Sequence, residues 1–167
     1  VYRISAIAII LLVVCAGFIQ VGAFDYIEIA GIKPDLLLVI VIYISLACQG
    51  PETIKAAITA GIIKDVTSSA VFGSYVLSFL ALGLLLNYHQ RRFYKERIPA
   101  QMMFGLCSYI FVAIFVFGIN LIAQRGIGPF YPFFDVAIKG ALYTGFISPL
   151  VFFTASRVLR IRLAHVI

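Results

Sequence analysis

Tryptophan is absent from this chain, charged side chains supply only 12% of it, and histidine occurs twice. The shortage of charge excludes most alternatives. A soluble domain is about 25% charged and about 45–50% apolar, whereas 63% of these 167 residues are hydrophobic. Such a chain is expected to be an integral membrane protein, and its length allows one domain, residues 1–167. The two histidines, His89 and His165, form no HExxH pair, and there is neither a serine nucleophile elbow nor a phosphate-binding loop. No enzyme activity, cofactor or metal is expected. Cysteine is also scarce: Cys15, Cys48 and Cys107 all lie in apolar runs. Their odd number and wide spacing exclude a disulfide framework and a metal site, and they read as small core residues. Without tryptophan, tyrosine is left to form an interfacial belt, with Tyr2, Tyr88 and Tyr94 on one side and Tyr26, Tyr75 and Tyr131 on the other.

What the chain has is hydrocarbon in long runs. A spanning helix needs about 20 mostly apolar residues. Six segments are expected on that basis: about 4–23, 35–49, 51–71, 72–88, 101–124 and 133–158. The first runs on past Cys15, and Val14 is too large for a lipoprotein processing site, so it reads as a spanning helix rather than a cleaved signal. The chain begins at Val1, which implies an initiator region before it. The stretch 126–134 reads as a short outer loop, and Pro149 as a candidate kink in the sixth helix. The fold class expected is all-α, a six-helix transmembrane bundle.

The net charge of +6 is distributed unevenly. With six crossings, Arg3, Lys55, Arg91, Arg92, Lys95, Arg97, Arg157, Arg160 and Arg162 fall on one side. Lys33, Lys64 and Arg125 fall on the other. By the positive-inside rule both termini are then cytoplasmic. The excess charge reports topology rather than nucleic-acid binding, and the inner run 91–97 reads as an anchor for anionic lipid.

Two carboxylates interrupt the apolar runs. A charged group in the bilayer costs roughly 2.5–3.5 kcal/mol on insertion scales, so such residues face protein or water and are functional candidates. Asp35 follows Pro34 and opens the second segment, where an aspartate caps a helix and complements its dipole. Asp65 lies about 20 Å along a helix that starts at Gly50-Pro51. It is too short to snorkel, while its neighbour Lys64, about 100° around the helix, is long enough to reach outward. Ala56, Ala57, Ala60 and Gly61 form small-xxx-small pairs, as do Ala141 and Gly145, which permit close helix contact. Asp135 and Lys139 are four apart, the spacing of a local ion pair. A second reading joins Lys139 to Asp65 across helices as an outer-half polar site. Gln20, Asn120 and Gln124 either belong to that site or are polar helix ends.

The run Lys33-Pro34-Asp35-Leu36-Leu37-Leu38, the Gly50-Pro51 break, Ala60-Gly61-Ile62-Ile63-Lys64-Asp65 and Gly73 together resemble the family of the bacterial rod shape-determining membrane protein MreD. The matching positions are Pro34, Asp35, Gly61 and Asp65. Residues 66–73 depart from the pattern, lacking the proline it has before the Phe/Leu-Gly step. The motifs cover 33–73, and the remainder matches in size and charge layout. The resemblance implies a non-enzymatic scaffold of the cell-elongation machinery in the bacterial inner membrane. It implies binding to the bitopic protein MreC. Through that complex it implies influence on peptidoglycan synthesis by RodA and a class B penicillin-binding transpeptidase, with the MreB filament on the cytoplasmic side. It also implies a fold similar to the S components of ECF-type vitamin transporters. The rival reading is therefore a small-molecule-binding transporter subunit, although the first segment lacks the Ala-x-x-x-Ala surface of S components. A third, an ion or proton path, rests only on Asp65 and Lys139.

Overall fold

A computed structural model describes residues 6–22, 32–48, 50–89, 97–123 and 130–159. They form six α-helices: α1 Ala6–Gly22, α2 Leu36–Ala47, α3 Gly50–Thr67, α4 Ser74–His89, α5 Ile98–Ile122 and α6 Phe130–Val158. No strand occurs among the described residues. Three helix starts lie earlier in the sequence than expected, that of α3 by one residue and those of α5 and α6 by three. Helix α5 begins at Ile98 with Pro99 in its first turn, where a missing N–H removes no intrahelical bond. Helix α6 begins at Phe130, so the stretch read as a loop over 126–134 is helical from 130 onward. Pro132 is tolerated there for the same reason.

Helix α2 is the axis of the molecule. Every residue from Leu37 to Leu46 is buried, and α2 packs against each of the other five helices. A helix apolar on all sides must be covered on all sides. At 12 residues it is about 18 Å long. Around it stand two tight antiparallel pairs, α3 with α4 and α5 with α6, while α1 leans on α3 and α2. Helix α1 buries the seam Ile9, Val13 and Ala16, and turns Ile7, Leu11 and Phe18 outward.

Small residues set these distances. Ala56, Ala57, Ala60 and Gly61 of α3 are all buried, so the small-xxx-small pairs are consumed inside the bundle. Gly105 of α5 faces Gly145 and Ser148 of α6. Larger apolar side chains such as Phe72, Ile122 and Phe146 are exposed. Two helices, Ile98–Ile122 and Asp135–Val158, are long and apolar enough to cross a membrane. The cysteines are not uniformly core: Cys48 is buried, but Cys15 and Cys107 are exposed. They occupy outward positions on helices whose outer faces are also apolar, so hydrophobic surroundings in sequence did not mean burial in the fold.

Candidate functional site

At one end of the bundle, polar groups from all six helices or their adjoining turns meet. Asp35 ends the extended approach that includes the buried Pro34, and its side chain accepts a hydrogen bond from the Leu38 amide at 3.1 Å. It is therefore the N-cap of α2. The Gln20 side chain, from the last turns of α1, accepts from the Leu37 amide at 3.0 Å and donates to Asp35 at 3.4 Å. The Asp35 amide donates to Thr144 Oγ1 of α6 at 3.1 Å. A helix N-terminus leaves its first amides without intrahelical acceptors. Here three elements supply those acceptors to α2.

Lys64 completes this group. Its ammonium lies 2.9 Å from Asp35 Oδ2, with only 20% of the side chain exposed, and 5.7 Å from the Tyr75 ring. The expectation that Lys64 reaches outward is thus corrected. An almost fully buried carboxylate is a closer and stronger partner than distant water, because the attraction is weakly screened inside the protein.

Asp65 does something different one residue later. It is 4% exposed, and its carboxylate accepts from the Tyr75 amide at 3.0 Å and the Val76 amide at 3.2 Å. The Ser74 hydroxyl lies at 3.5 Å from it. These are the first residues of α4, so Asp65 caps a helix other than its own. The positive end of the α4 dipole offsets the charge. Gly61, one turn earlier on the same face of α3, explains how α4 comes so near. A Cβ at Gly61 would lie 2.5 Å from Val76 Cα and 2.8 Å from Val76 N. Gly-x-x-x-Asp is therefore one device: the glycine lets the start of α4 touch α3, and the aspartate four residues on receives its amides. The turn between them uses Gly73 at φ 95°, a conformation in which other residues are strained. Beside it, Asn120 of α5 accepts from the Val71 amide at 3.2 Å.

Lys139 does not join Asp65. It pairs with Asp135 on its own helix, and both side chains are half exposed. Of the two readings open from the sequence, the local one holds, because Asp65 is already occupied by α4. Of the basic run 91–97, Arg97 is exposed and precedes α5, whereas Arg91, Arg92 and Lys95 lie outside the described residues, as does Gln124. Among the described residues no His/Cys/Asp/Glu group has metal-ligand geometry, and no buried side-chain nitrogen or oxygen lacks a partner.

Sequence reasoning missed Thr144, Ser74 and Tyr75. Thr144 sat in view on the small-residue face with Ala141 and Gly145, but its partner is a backbone amide 109 positions away. It also missed a second cluster at the opposite end of the bundle. There the Asn87 side-chain amide, near the end of α4, reaches Cys48 O at 2.9 Å, Ser45 O at 3.2 Å and Thr53 Oγ1 at 3.3 Å. It binds the C-terminal carbonyls of α2 to the start of α3.

The arrangement joins helices, and its carboxylates spend their acceptor capacity on helix ends and an ammonium. A family model described as rod shape-determining protein MreD matches residues 2–156 of the 167. No curated protein and no solved structure matches the chain. The match takes in all six helices nearly entire, with Pro34, Asp35, Gly61 and Asp65 inside it, and the chain belongs to the MreD family of rod shape-determining proteins.

Proposed function

We propose that this chain is a non-enzymatic membrane scaffold of the cell-elongation machinery, crossing the bacterial inner membrane six times with both termini in the cytoplasm. Membership of a rod shape-determining family carries the reading. The apolar outer surface and the unequal charge of the connecting segments support the membrane placement. Its partner in this reading is MreC, and through MreC it supports peptidoglycan synthesis by RodA and a class B penicillin-binding transpeptidase, with MreB on the inner side.

The partner docks on the outer half of the bundle. Helix α2 is covered on every side, so α3 and α6 offer the surface, and the polar cluster beneath them fixes their positions. Asp35 and Asp65 then act on the partner indirectly, by holding α2, α3 and α4 in register. The test is co-purification from detergent with MreC. Asp35→Ala and Asp65→Ala are each expected to reduce recovery of MreC, and the double variant to reduce it further. Full recovery by all three would overturn this docking surface. A transporter subunit would need free polar groups to hold a ligand, and in this cluster they are engaged with one another.

A further inference from the structure

One serine in the six helices leaves its hydroxyl unused. Every other serine or threonine there makes a side-chain hydrogen bond. Most donate to a backbone carbonyl three or four residues earlier, as Ser45, Ser78 and Ser148 do, the usual way for a helix to absorb a hydroxyl. Ser108 of α5 makes no such bond, although it is only 3% exposed. No fully enclosed side-chain oxygen among the described residues lacks a partner, so the sliver of surface that Ser108 keeps lies at its hydroxyl.

That hydroxyl opens into an apolar groove of about 630 Å³ between α4 and α5. Leu82 and Leu86 stand on one wall, Met103 and Phe111 on the other. Along α5 the groove runs from residue 99 to residue 111, about 18 Å or three helical turns. Three turns offer ridges and grooves enough to seat a crossing helix.

Depth limits what the hydroxyl can meet. Ser108 lies ten residues after Ile98, about 15 Å from the start of α5, half of a ~30 Å hydrocarbon core. No water is there to bond it, and an acyl chain at that depth has no hydrogen-bonding atom. A hydroxyl left without a partner in hydrocarbon is costly. A serine, threonine, asparagine or glutamine at the middle of another spanning helix would meet it, and such side chains join helices in lipid.

We propose that this groove seats a spanning helix of another protein chain, whose mid-span polar side chain hydrogen-bonds Ser108. The site rests on the membrane reading above and adds a second docking flank, α4 and α5, to that of α3 and α6. A lipid chain is the competing occupant.

The absence of tryptophan makes the test direct. Met103 is exposed and lines the groove, so Met103→Trp places the only indole there. Phe146→Trp places one on the exposed face of α6, outside the groove. Each variant of the full chain is reconstituted in phosphatidylcholine vesicles with a dansyl-labelled polyleucine peptide of about 20 residues, at low peptide-to-lipid ratio. The peptide carries asparagine or leucine at its centre. Energy transfer from position 103 is expected to favour the asparagine peptide about threefold or more, and transfer from position 146 should be alike for both. Adding Ser108→Ala to Met103→Trp should remove the preference without lowering the melting temperature, because the hydroxyl holds nothing within the chain. Equal transfer to both peptides at 103 overturns the proposal and leaves a lipid chain as the occupant. A preference that survives Ser108→Ala overturns it too, as does a fall in melting temperature, which would give the hydroxyl an internal role. In peptide-free vesicles, brominated phosphatidylcholine quenches both indoles if the membrane reading holds. Quenching of neither sinks that reading and the proposal together.

Discussion

The two ends of the bundle face the same difficulty and meet it with different chemistry. Helices α2 and α4 stop inside an apolar structure, so their terminal amides and carbonyls need partners. At one end the amides of α2 and α4 receive carboxylates, Asp35 and Asp65, and one ammonium, Lys64. At the other end the carbonyls of α2 receive a neutral amide from Asn87. A negative group at a helix N-terminus is stabilised by the dipole, and two such ends beside one lysine leave the cluster nearly self-compensating. The buried ion at the carbonyl end is Glu52, in the first turn of α3, an anion that cannot donate to carbonyls, so a neutral amide supplies the donor. Charge inside this protein is thus found where helix starts converge.

Removing the cation should break that contrast most severely. Lys64→Met leaves Asp35 buried without a counter-ion and is expected to destabilise by about 3–5 kcal/mol. It should appear as a large fall in the melting temperature of the detergent-solubilised protein, with Lys64→Arg much closer to wild type. A Lys64→Met protein that melts with wild type would show that the pair contributes nothing.

Gly61→Val comes next. A Cβ there meets the α4 backbone rather than a flexible side chain, so overpacking of about 1–3 kcal/mol or more is expected. Because Gly61 and Asp65 seat the same helix start, their effects should be non-additive. A double-mutant cycle with Asp65→Ala that closes to zero would separate the two residues and dissolve the device.

A sharper comparison sets Asp65→Ala against Asn87→Ala. Bonds to a charged acceptor are worth about 1.5–3 kcal/mol and neutral ones about 0.5–1.5, so Asp65→Ala should lose about twice the stability of Asn87→Ala. Equal losses would remove the distinction between the two ends. Asp65→Asn, which keeps one acceptor oxygen, should fall between Asp65→Ala and wild type.

The smallest effect belongs to Lys139→Gln. Its pair with Asp135 is half exposed, and such pairs contribute about 0–1 kcal/mol. A melting shift as large as that of Lys64→Met would mean that Lys139 has a second partner.

The sequence was informative where partners are local. Pro34-Asp35 before an apolar run indicated a cap, and the cap bonds a residue three positions on. The brevity of the second helix was visible from the gap between Asp35 and Gly50. Spacing also separated Lys64 from Asp65, and the fold sends them to different partners. What could not be read was the identity of those partners. Asp65 binds backbone amides, which every residue but proline carries, so no side chain marked the place. The ammonium of Lys64 crosses to a residue 29 positions earlier, a distance that helical periodicity does not encode. The start of α6 was missed because the aromatic and proline content of 130–132 suits both a loop and a first helical turn.

The unequal length of the outer helices has a mechanical consequence. Helix α4 is 16 residues and α3 is 18, about 24 and 27 Å, whereas α5 and α6 have 25 and 29 residues, about 38 and 44 Å. In a bilayer the molecule would present a low wall on one flank and a tall one on the other. Mismatch costs a fraction of a kcal/mol per ångström, so lipid around the low flank thins and lipid around the tall flank stretches or the bundle tilts. Neighbours with short spans would collect on one side, giving the protein a lateral orientation before any side chain touches a partner.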